Sequence, residues 1–388
     1  MKVALLNSGG QLSYLQGLVS GLAQIDGLEI QVLDSDQSIG KFDTYRKIRH
    51  VNLVGSDSHS TGSFGKTKRI LSYYLEIFVH CLISSNEIIH IQWYRRFYIF
   101  DRVFLSIFFK IFNKKIIYTA HNINRGERDG RDSFLNRSSL QFLYSISDVI
   151  IVHTEKMKLD LLKKFKVKAG KIHVVPHGIN NAVPEVGMSM STARVKLNIP
   201  QNRRVVLFFG RIDRYKGLDV LLSAFSNLDP ERYLLLIAGS VVPEYLTEFR
   251  SSIEPLLGNK GIISKIGYIP DENIEYYFMA ADCLVLPYKY IYQTGVVFLS
   301  YRFGLPIIAS DVGSLREDIV EGRTGFICRP EDPVDLAHKI EKYFESTLFK
   351  NKEYFSVDIK RWAEEKYGWG SIGEKTWRLY KKCLGERC

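Results

Sequence analysis

The sequence is poor in cysteine and has no cysteine pattern typical of metal binding. Its five cysteines are scattered along 388 residues, and no two of them form a C-x-x-C pair. An odd number of widely spaced cysteines suits neither a disulfide framework nor a zinc site. We therefore expect a reduced, cytoplasmic protein without a metal centre. The cysteines are Cys81, Cys283, Cys328, Cys383 and Cys388.

The sequence also lacks a long hydrophobic run. No segment reaches the roughly 18 uninterrupted apolar residues that a membrane-spanning helix needs. The most apolar stretch, residues 97–112, is interrupted by Asp101, Arg102 and Lys110. This aromatic stretch has two interpretations. It is either a helix packed in the layer of an α/β domain, or a surface that rests on a membrane with its cations at the lipid headgroups.

Acidic residues are scarce in the first half of the chain. Residues 1–180 contain 25 Lys and Arg against 15 Asp and Glu, whereas residues 181–388 contain 28 against 27. A basic half favours an anionic partner, such as a phospholipid surface, a phosphorylated acceptor or nucleic acid. Zinc-finger spacings and clustered aromatic and basic RNA-binding motifs are absent, so nucleic acid is the weakest candidate and we expect no nucleic-acid partner.

Strand-type apolar runs alternate with helix-type patterns along the chain. At this length two domains are expected, and the alternation predicts two doubly wound, Rossmann-like α/β domains. We predict a first domain at residues 1–180, a proline- and glycine-containing linker at 181–191, and a second domain at 192–366. Residues 367–388 carry apolar residues at helical spacing and predict a final helix lying back on the first domain. We expect the two sheets to face a cleft at the carboxyl ends of their strands.

Two stretches have less regular patterns. Residues 35–69 are polar and contain several glycines, so we predict loops around one strand near residues 51–54. Residues 243–257 predict a single helix.

A loop with two cations follows the strand predicted at residues 205–209. Gly210 ends the strand, Arg211 and Lys216 follow, and helical spacing begins at Leu218. The carboxyl edge of a parallel sheet and the amino end of a helix both favour an anion, so Arg211 and Lys216 are candidates for binding a diphosphate. Taken alone, the pattern fits two solvated loop cations equally well.

Two features of the first half are weaker. Gly9 and Gly10 follow the first predicted strand, either as a tight turn or as backbone that must lie close to a ligand. They are not part of a G-x-G-x-x-G fingerprint. His121 lies at the carboxyl end of the strand predicted at residues 115–122 and opens an arginine-rich loop. It is therefore either a structural residue or a ligand contact.

These motifs together resemble the retaining glycosyltransferases of the "group 1", or family 4, type, which have the GT-B fold. The resemblance covers nearly the whole chain. Its strongest part is F-G-R-I-D-R-Y-K-G-L at residues 209–218, which is similar to the family's F-x-G-R-x-x-x-x-K-G. Further matches are T-A-H-N at residues 119–122, V-P-H-G at residues 175–178 and the stretch at residues 303–313.

The resemblance implies roles for particular residues. Arg211 and Lys216 would clamp the diphosphate of a sugar donor, and His121 would orient the donor sugar or the reacting centre. No metal or other cofactor is expected, because fixed cations and helix N–H groups can stabilise the departing diphosphate. The donor-binding residues implied are Gly9, Gly10, Gly210, Arg211, Lys216, Gly239, Tyr268, Ile269, Gln293, Thr294, Gly295 and Val296.

One motif of the family is missing. Its members commonly have two glutamates, separated by seven residues, before a G-x-P turn. Counting back from the turn at residues 304–306, these positions fall on Ile291 and Leu299. The chain instead has Q-T-G-V at residues 293–296, which resembles a variant found in some members that build exopolysaccharide or surface glycans. Gln293 and Thr294 are candidates to replace the missing contacts.

The resemblance implies transfer of a hexose-type sugar, with retention, from a UDP- or GDP-linked donor. The acceptor would be a hydroxyl of a glycan or of a polyprenyl-diphosphate-linked molecule, in surface polysaccharide biosynthesis. The basic first domain adds the anionic inner face of the cell membrane as a candidate partner. Two alternatives stay open: a GT-B protein that binds nucleotide sugars without transferring them, and a sugar-nucleotide epimerase.

Overall fold

The chain divides into two compact units. The first contains Met1–Gly178 and Tyr367–Cys388, and the second contains Ile179–Lys366. The computed structural model describes residues 1–8, 10–35, 38–54, 63–94, 97–128, 130, 132–181 and 183–386.

The first unit is built on a parallel sheet of seven strands in the order β3-β2-β1-β4-β5-β6-β7. The order reverses between β1 and β4, so the carboxyl ends of these two strands flank the point where open α/β sheets bind ligands. The strands are β1 (Lys2–Asn7), β2 (Glu29–Ser35), β3 (Ile48–Val54), β4 (Ile88–Trp93), β5 (Lys115–Thr119), β6 (Val149–Val152) and β7 (Ile172–Val174).

Helices cover both faces of this sheet. Right-handed crossovers place α1 on one face and α2, α3, α5 and α6 on the other. The helices are α1 (Leu12–Leu22), α2 (Ser63–Ile83), α3 (Tyr98–Ile111), α4 (Arg125–Arg128), α5 (Phe134–Ile146), α6 (Glu155–Lys164) and, from the end of the chain, α16 (Trp369–Leu384).

Helix α16 packs closely on α1 because glycines let the two backbones meet. A Cβ atom on Gly21 would lie 2.0 Å from the carbonyl oxygen of Trp369, and one on Gly373 would lie 2.4 Å from the carbonyl carbon of Gly21. The indole of Trp369 fills the space beside Gly17 and Gly178. The last helix is thus an integral part of the first unit's core.

The second unit repeats the design with six parallel strands in the order β10-β9-β8-β11-β12-β13. Its order reverses between β8 and β11. The strands are β8 (Arg204–Phe209), β9 (Tyr233–Gly239), β10 (Ile262–Ile266), β11 (Cys283–Leu286), β12 (Ile307–Ser310) and β13 (Gly325–Cys328). The helices are α7 (Met190–Lys196), α8 (Leu218–Phe225), α9 (Leu246–Glu248), α10 (Asp271–Ala280), α11 (Gly295–Arg302), α12 (Leu315–Asp318), α13 (Pro333–Glu345), α14 (Thr347–Lys350) and α15 (Lys352–Tyr367).

The fold class predicted from the sequence, two doubly wound Rossmann-like domains, is confirmed. The structure differs from the predicted linker at residues 181–191, since this segment is attached to the second unit. The buried carboxylate of Glu275 accepts hydrogen bonds from the backbone N–H groups of Val186, Gly187 and Met188, each at 2.9 Å. Helix α7 then begins at Met190. Three hydrogen bonds to one carboxylate tie the segment to α10.

Other differences are local. The predicted helix at residues 243–257 is a series of short 3₁₀, α and π turns that run from Pro243 to Gly258. In the segment predicted as loops around one strand near residues 51–54, β3 runs from Ile48 to Val54 and α2 already begins at Ser63. Strand β13 was not predicted, because it is only four residues long and begins with a glycine. Among the described residues, no helix combines the length and apolar character that a membrane crossing requires.

Candidate functional site

In the second unit, the predicted diphosphate loop connects β8 to α8 at the point where the strand order reverses. Gly210 leaves the strand with a φ of 107°, and a single 3₁₀ turn, Arg214–Lys216, follows. The side chain of Asp213 accepts the N–H of Arg214 and so starts this turn. Gly217, with a φ of 68°, ends the turn, and a Cβ there would lie 1.9 Å from the carbonyl oxygen of Pro287. The conformation of this loop is therefore fixed by its 3₁₀ turn and by the two glycines.

Lys216 is buried although its side chain is charged. Only 6% of the residue is exposed, and its ammonium group donates to the hydroxyl of Tyr288 at 2.9 Å. The position that a Cβ would take on Gly210 lies 3.5 Å from Lys216 Nζ and 3.6 Å from Val296 Cγ2. The lysine ammonium, Gly210 and the first turn of α11 thus meet at one point. Burial strengthens the attraction of such a charge for an anion.

Arg211 is exposed beside this point. Within the described ranges, no carboxylate forms an ion pair with its guanidinium group. The loop's other arginine, Arg214, is paired with Glu248. Of the two arginines in the loop, Arg211 is therefore the one available for a ligand.

The start of α11 carries the Q-T-G-V segment. Thr294 is the residue before the helix, and its hydroxyl lies 3.5 Å from the N–H of Val296. The amide nitrogen of Gln293 donates to Asp318 at 3.3 Å, while its carbonyl oxygen is buried and has no hydrogen-bond partner in the described part of the chain. A buried acceptor without a partner is costly, so this oxygen is suited to a ligand's hydroxyl or N–H group.

The two positions where the family commonly has glutamate are part of the apolar core. Ile291 and Leu299 are each 4% exposed. The backbone of residue 291 is also crowded, since a Cβ on Gly313 would lie 1.8 Å from its carbonyl oxygen. Carboxylates at these positions would be buried, and the structure has apolar packing there instead.

The remaining predicted donor residues surround the same edge of the sheet. Gly239 ends β9 with a φ of 151°, and a Cβ there would lie 1.8 Å from the carbonyl oxygen of Gly210. The next loop is anchored by a 2.9 Å hydrogen bond from Gly267 N–H to the carbonyl of Gly239. In that loop Tyr268 is 75% exposed, whereas Ile269 is buried. Tyr268 therefore offers a free aromatic ring for stacking.

In the first unit, His121 lies among aromatic rings at the carboxyl edge of the sheet. Its imidazole stacks on Trp93 with ring centroids 3.7 Å apart, and Tyr14 meets it edge-on at 4.6 Å. Its Nδ1 atom lies 2.9 Å from Nε2 of His153, and its Nε2 atom lies 3.3 Å from the side chain of Gln92. His121 is thus held in one orientation by stacking on Trp93 and by the contact between its Nδ1 atom and His153.

The hydrogen bonds and pKa values define the protonation of this pair. A carbonyl can only accept, so the 3.0 Å contact between His153 Nδ1 and the carbonyl of Val175 places a hydrogen on Nδ1. Burial lowers the pKa of His153 to about 4, so its Nε2 is an acceptor at neutral pH. Burial, together with the nearby histidines, also lowers the pKa of His121. His121 is therefore neutral, and its Nδ1–H donates to His153. Its Nε2 atom then carries no hydrogen, so it forms no hydrogen bond with the Oε1 atom of Gln92, which is also an acceptor.

Two more buried histidines, His90 and His177, belong to the same cluster, and burial lowers the pKa of each to about 3. His90 is 2.6 Å from the hydroxyl of Tyr380 and 2.8 Å from that of Thr119. The ring of His177 lies 5.3 Å from that of His153. The edge of this sheet is thus lined by neutral, hydrogen-bonded rings.

Of the predicted glycine pair, Gly9 lies outside the described residues. Gly10 is described, and a Cβ there would lie 2.2 Å from the indole of Trp93 and 2.4 Å from the side chain of Asn7. Glycine is therefore required at residue 10 by close packing within the first unit.

Sequence reasoning missed several residues of both sites: Tyr14, Gln92, Trp93, His153, Tyr288 and Asp318. His153 had a usable signal, because it follows β6 in the same way that His121 follows β5, and β5 and β6 are neighbours. The others depend on side chains that meet only in the folded chain. In the described ranges, no group of three or more His, Cys, Asp or Glu side chains is arranged to hold a metal ion.

Comparisons with known protein families match both halves of the chain. Residues 189–362 match the family described as glycosyl transferases group 1, and residues 8–183 match glycosyltransferase family 4. The D-inositol 3-phosphate glycosyltransferase of Corynebacterium efficiens is 30% identical over 290 residues, which cover 70% of this chain and 67% of that protein. The chain belongs to the group 1, family 4 type of glycosyltransferases.

Another relative of this glycosyltransferase has a different name. The α-maltose-1-phosphate synthase of Mycolicibacterium smegmatis is 28% identical over 248 residues, which cover 61% of this chain and 63% of that protein. The match to the D-inositol 3-phosphate glycosyltransferase of Corynebacterium diphtheriae, 25% identical, spans 66% of that protein. Glycosyltransferase activity is common to the family, whereas the substrates vary.

Solved structures agree on the GT-B fold of this glycosyltransferase. Sucrose-phosphate synthase from Thermosynechococcus elongatus aligns with a TM-score of 0.78 and 18% identity over 99% of each chain. HepE of Anabaena, solved in complex with UDP-glucose, aligns with a TM-score of 0.74 and 15% identity, covering 98% of this chain and 100% of that one. At these identities the likeness concerns the fold alone.

Proposed function

We propose that this glycosyltransferase moves a hexose-type sugar from a UDP- or GDP-linked donor to an acceptor hydroxyl, with retention of configuration. The observation that carries the proposal is the meeting of Lys216 Nζ, Gly210 and the amino end of α11 at the strand-order reversal of the second unit. Arg211, which pairs with no carboxylate in the described part of the chain, adds a cation beside them. Such a point suits a diphosphate, which carries negative charge and seeks N–H donors.

The proposed chemistry needs charge stabilisation above all. The bond between the anomeric carbon and the diphosphate oxygen breaks, and negative charge grows on the departing diphosphate. Arg211, Lys216 and the first N–H groups of α11 stabilise that charge, which is the preorganised electrostatics that usually dominates catalysis. The acceptor oxygen bonds to the anomeric carbon on the same face, and its proton passes to the leaving phosphate. These steps use no metal or other cofactor.

Gln293 is proposed to replace part of the missing glutamate contacts. Its carbonyl oxygen is buried without a partner, and its amide nitrogen is fixed by Asp318. A hydroxyl of the donor would donate a hydrogen bond to this oxygen. Thr294, Gly295 and Val296 would contact the donor through the start of α11. Tyr268 is proposed to stack on the nucleotide base, and Gly239 and Ile269 are proposed to shape the loop that carries it. His121 of the first unit is proposed to orient the donor sugar or reacting centre.

The acceptor is proposed to be a glycan or a polyprenyl-diphosphate-linked molecule, in surface polysaccharide biosynthesis. The first unit supports an anionic acceptor, since it contains 30 Lys and Arg against 17 Asp and Glu. Several relatives are named for transfer to D-inositol 3-phosphate, which is itself a phosphorylated acceptor. We propose that the enzyme acts in the cytoplasm and that the anionic inner face of the cell membrane is a candidate partner.

The proposal is tested first by donor binding. A thermal-shift series with UDP-, GDP- and ADP-sugars should give stabilisation by one nucleotide class, about 2.7 kcal/mol at 100 times the dissociation constant. UDP-glucose is the first donor to test, since HepE was solved with it. NMR of the product with a lipid-linked acceptor then reports the anomeric configuration, and an inverted product would contradict retention.

One alternative has a structural observation in its favour. The apolar residues Ile291 and Leu299 remove two carboxylates that the family commonly has, which suits a protein that binds nucleotide sugars without transferring them. Donor binding without transfer or donor hydrolysis, across the acceptors tested, would favour this alternative. Conversion of the donor into its epimer would favour an epimerase.

A further inference from the structure

The first unit exposes an apolar surface along two neighbouring helices, α2 and α3. Six large side chains of this surface are between 41% and 71% exposed: Leu71, Leu75 and Leu82 on α2, and Phe100, Phe104 and Ile111 on α3. We call these six residues the α2–α3 face. Contiguous apolar surfaces of this kind are rare on monomeric proteins and usually mark a place of interaction.

The two helices form one continuous surface because aromatic side chains pack between them. The ring of Phe78 on α2 lies 5.7 Å from that of Phe104 and 4.3 Å from that of Phe108, both on α3. Tyr74 lies 5.7 Å from Phe100, and its hydroxyl donates to the buried Asp101 at 2.6 Å. The helices are therefore locked side by side, with their exposed apolar stripes adjacent.

The charged residues of the two helices are mostly positive, with five Lys and Arg against two acidic residues. Glu76 is the only acidic residue of α2, and Asp101 is the only one of α3. Asp101 is fully buried and Glu76 is half-buried, so neither helix exposes a full carboxylate. The first unit as a whole has 13 more Lys and Arg than Asp and Glu, whereas the second has two fewer.

We propose that the α2–α3 face is a membrane-binding surface that inserts its apolar side chains into an anionic bilayer. Apolar insertion and attraction between the basic unit and anionic headgroups act together in such interfacial helices. The inference deepens the proposed function, because it names the surface through which the enzyme would reach a lipid-linked acceptor. Within residues 97–112, Phe109 packs in the core, whereas Phe104 is exposed and is available for the proposed contact with lipid.

Vesicle flotation without donor or acceptor tests the surface. The wild-type chain should float with phosphatidylcholine vesicles that contain phosphatidylglycerol, and high salt should weaken the binding. The double variant Leu75→Ser/Ile111→Ser should lower the partition coefficient by at least about tenfold, since two apolar side chains no longer enter the bilayer. Both residues are more than 60% exposed, so the variant should fold, which circular dichroism checks.

A matched control separates insertion from general hydrophobicity. Leu159→Ser/Val357→Ser alters side chains that are 64% and 68% exposed but lie on α6 and α15. This variant should float like the wild type. Wild-type chain that fails to bind anionic vesicles at low salt, or a Leu75→Ser/Ile111→Ser variant that floats normally, would overturn the proposal. So would a solution dimer that this variant dissociates, because a second copy would then be the occupant.

The outcome is independent of the proposed transfer. Flotation involves no sugar donor, so a chain that binds vesicles but transfers nothing would contradict the proposed function alone. A chain that transfers sugar to a water-soluble acceptor but ignores anionic vesicles would contradict the membrane surface alone.

Discussion

The two units share one architecture but use different chemistry at the edge of the sheet. The first unit lines its edge with neutral rings, including His90, His121, His153 and Trp93, which are held by hydrogen bonds and stacking within this unit. The second unit lines its edge with backbone turns and two cations, Arg211 and Lys216. Eight of the nine histidines belong to the first unit, and His338 is the only one in the second. The same fold thus supports a neutral, preorganised surface and a charged one.

The largest expected effect of this difference is on stability against pH. Burial lowers the pKa of His90 and His177 to about 3 and that of His153 to about 4, so each takes up a proton on unfolding. The stability that these neutral rings provide is complete above about pH 6.5 and is lost as the pH falls toward their folded pKa values. Each ring should contribute up to about 1.4 kcal/mol per pH unit in that window.

Buried thiols can report this loss for each unit separately. Urea unfolding is carried out at a series of pH values, followed by a brief thiol-labelling pulse at one fixed pH. Cys81 reports on the first unit and Cys283 on the second, and both are buried in the folded chain. Between about pH 6.5 and pH 4, Cys81 should become labelled at lower urea while Cys283 changes less. An equal loss of stability in both units would contradict the proposed difference between them.

The next effect concerns the charged edge of the second unit. Arg211→Ala should cost about 2–4 kcal/mol of transition-state stabilisation, because it removes a cation from the growing diphosphate charge. Lys216→Met should cost a similar amount, because it removes the buried ammonium group while keeping the length of the side chain. The measurement is kcat/KM for sugar transfer. Arg214→Ala is the matched control, since this arginine lies in the same loop but pairs with Glu248. Near-wild-type turnover of Arg211→Ala and Lys216→Met would refute the clamp.

A smaller effect tests how strongly the stability of the second unit depends on a close backbone contact at a glycine. Gly239→Ala should destabilise the unit by about 3 kcal/mol, because the position has a φ of 151° and the new Cβ would collide with the carbonyl oxygen of Gly210. Gly258→Ala is the control, since its Cβ would meet nothing within 4 Å. Thermal unfolding compares the two. A Gly239→Ala variant as stable as Gly258→Ala would show that the loop adapts.

Much of the fold was accessible from the sequence because both units repeat a simple pattern. Apolar runs such as residues 205–209 are buried on both faces of a parallel sheet, which makes them continuous and easy to recognise. Strand β13 was not predicted because its first residue is a glycine. Gly325 is required there by close packing, since a Cβ would lie 1.8 Å from the carbonyl oxygen of Ile307. That requirement exists only once β12 lies beside it.

The candidate sites could be predicted from the sequence only in part, for a similar reason. Arg211, Lys216 and His121 stand next to strand ends, so their positions followed from the alternation. The bond from Gln293 to Asp318 joins residues 25 positions apart, and that from His121 to His153 joins residues 32 positions apart. Such contacts depend on which strands are neighbours and on side-chain directions, and local patterns carry neither.

The smallest expected effect concerns the neutral edge of the first unit. His153→Leu removes the acceptor of the His121 Nδ1–H bond, and the loss of one buried hydrogen bond, about 1 kcal/mol, should lower kcat several-fold with little change in the donor KM. NMR of the imidazole nitrogens should show the Nδ1–H tautomer of His121 in the wild type and a mixture in the variant. His80→Leu is the control, because His80 is also buried but bonds to Asn86 at 3.1 Å. An unchanged tautomer in His153→Leu would mean that stacking on Trp93 alone orients His121, and the first unit's edge would then depend on packing rather than on a hydrogen-bonded pair.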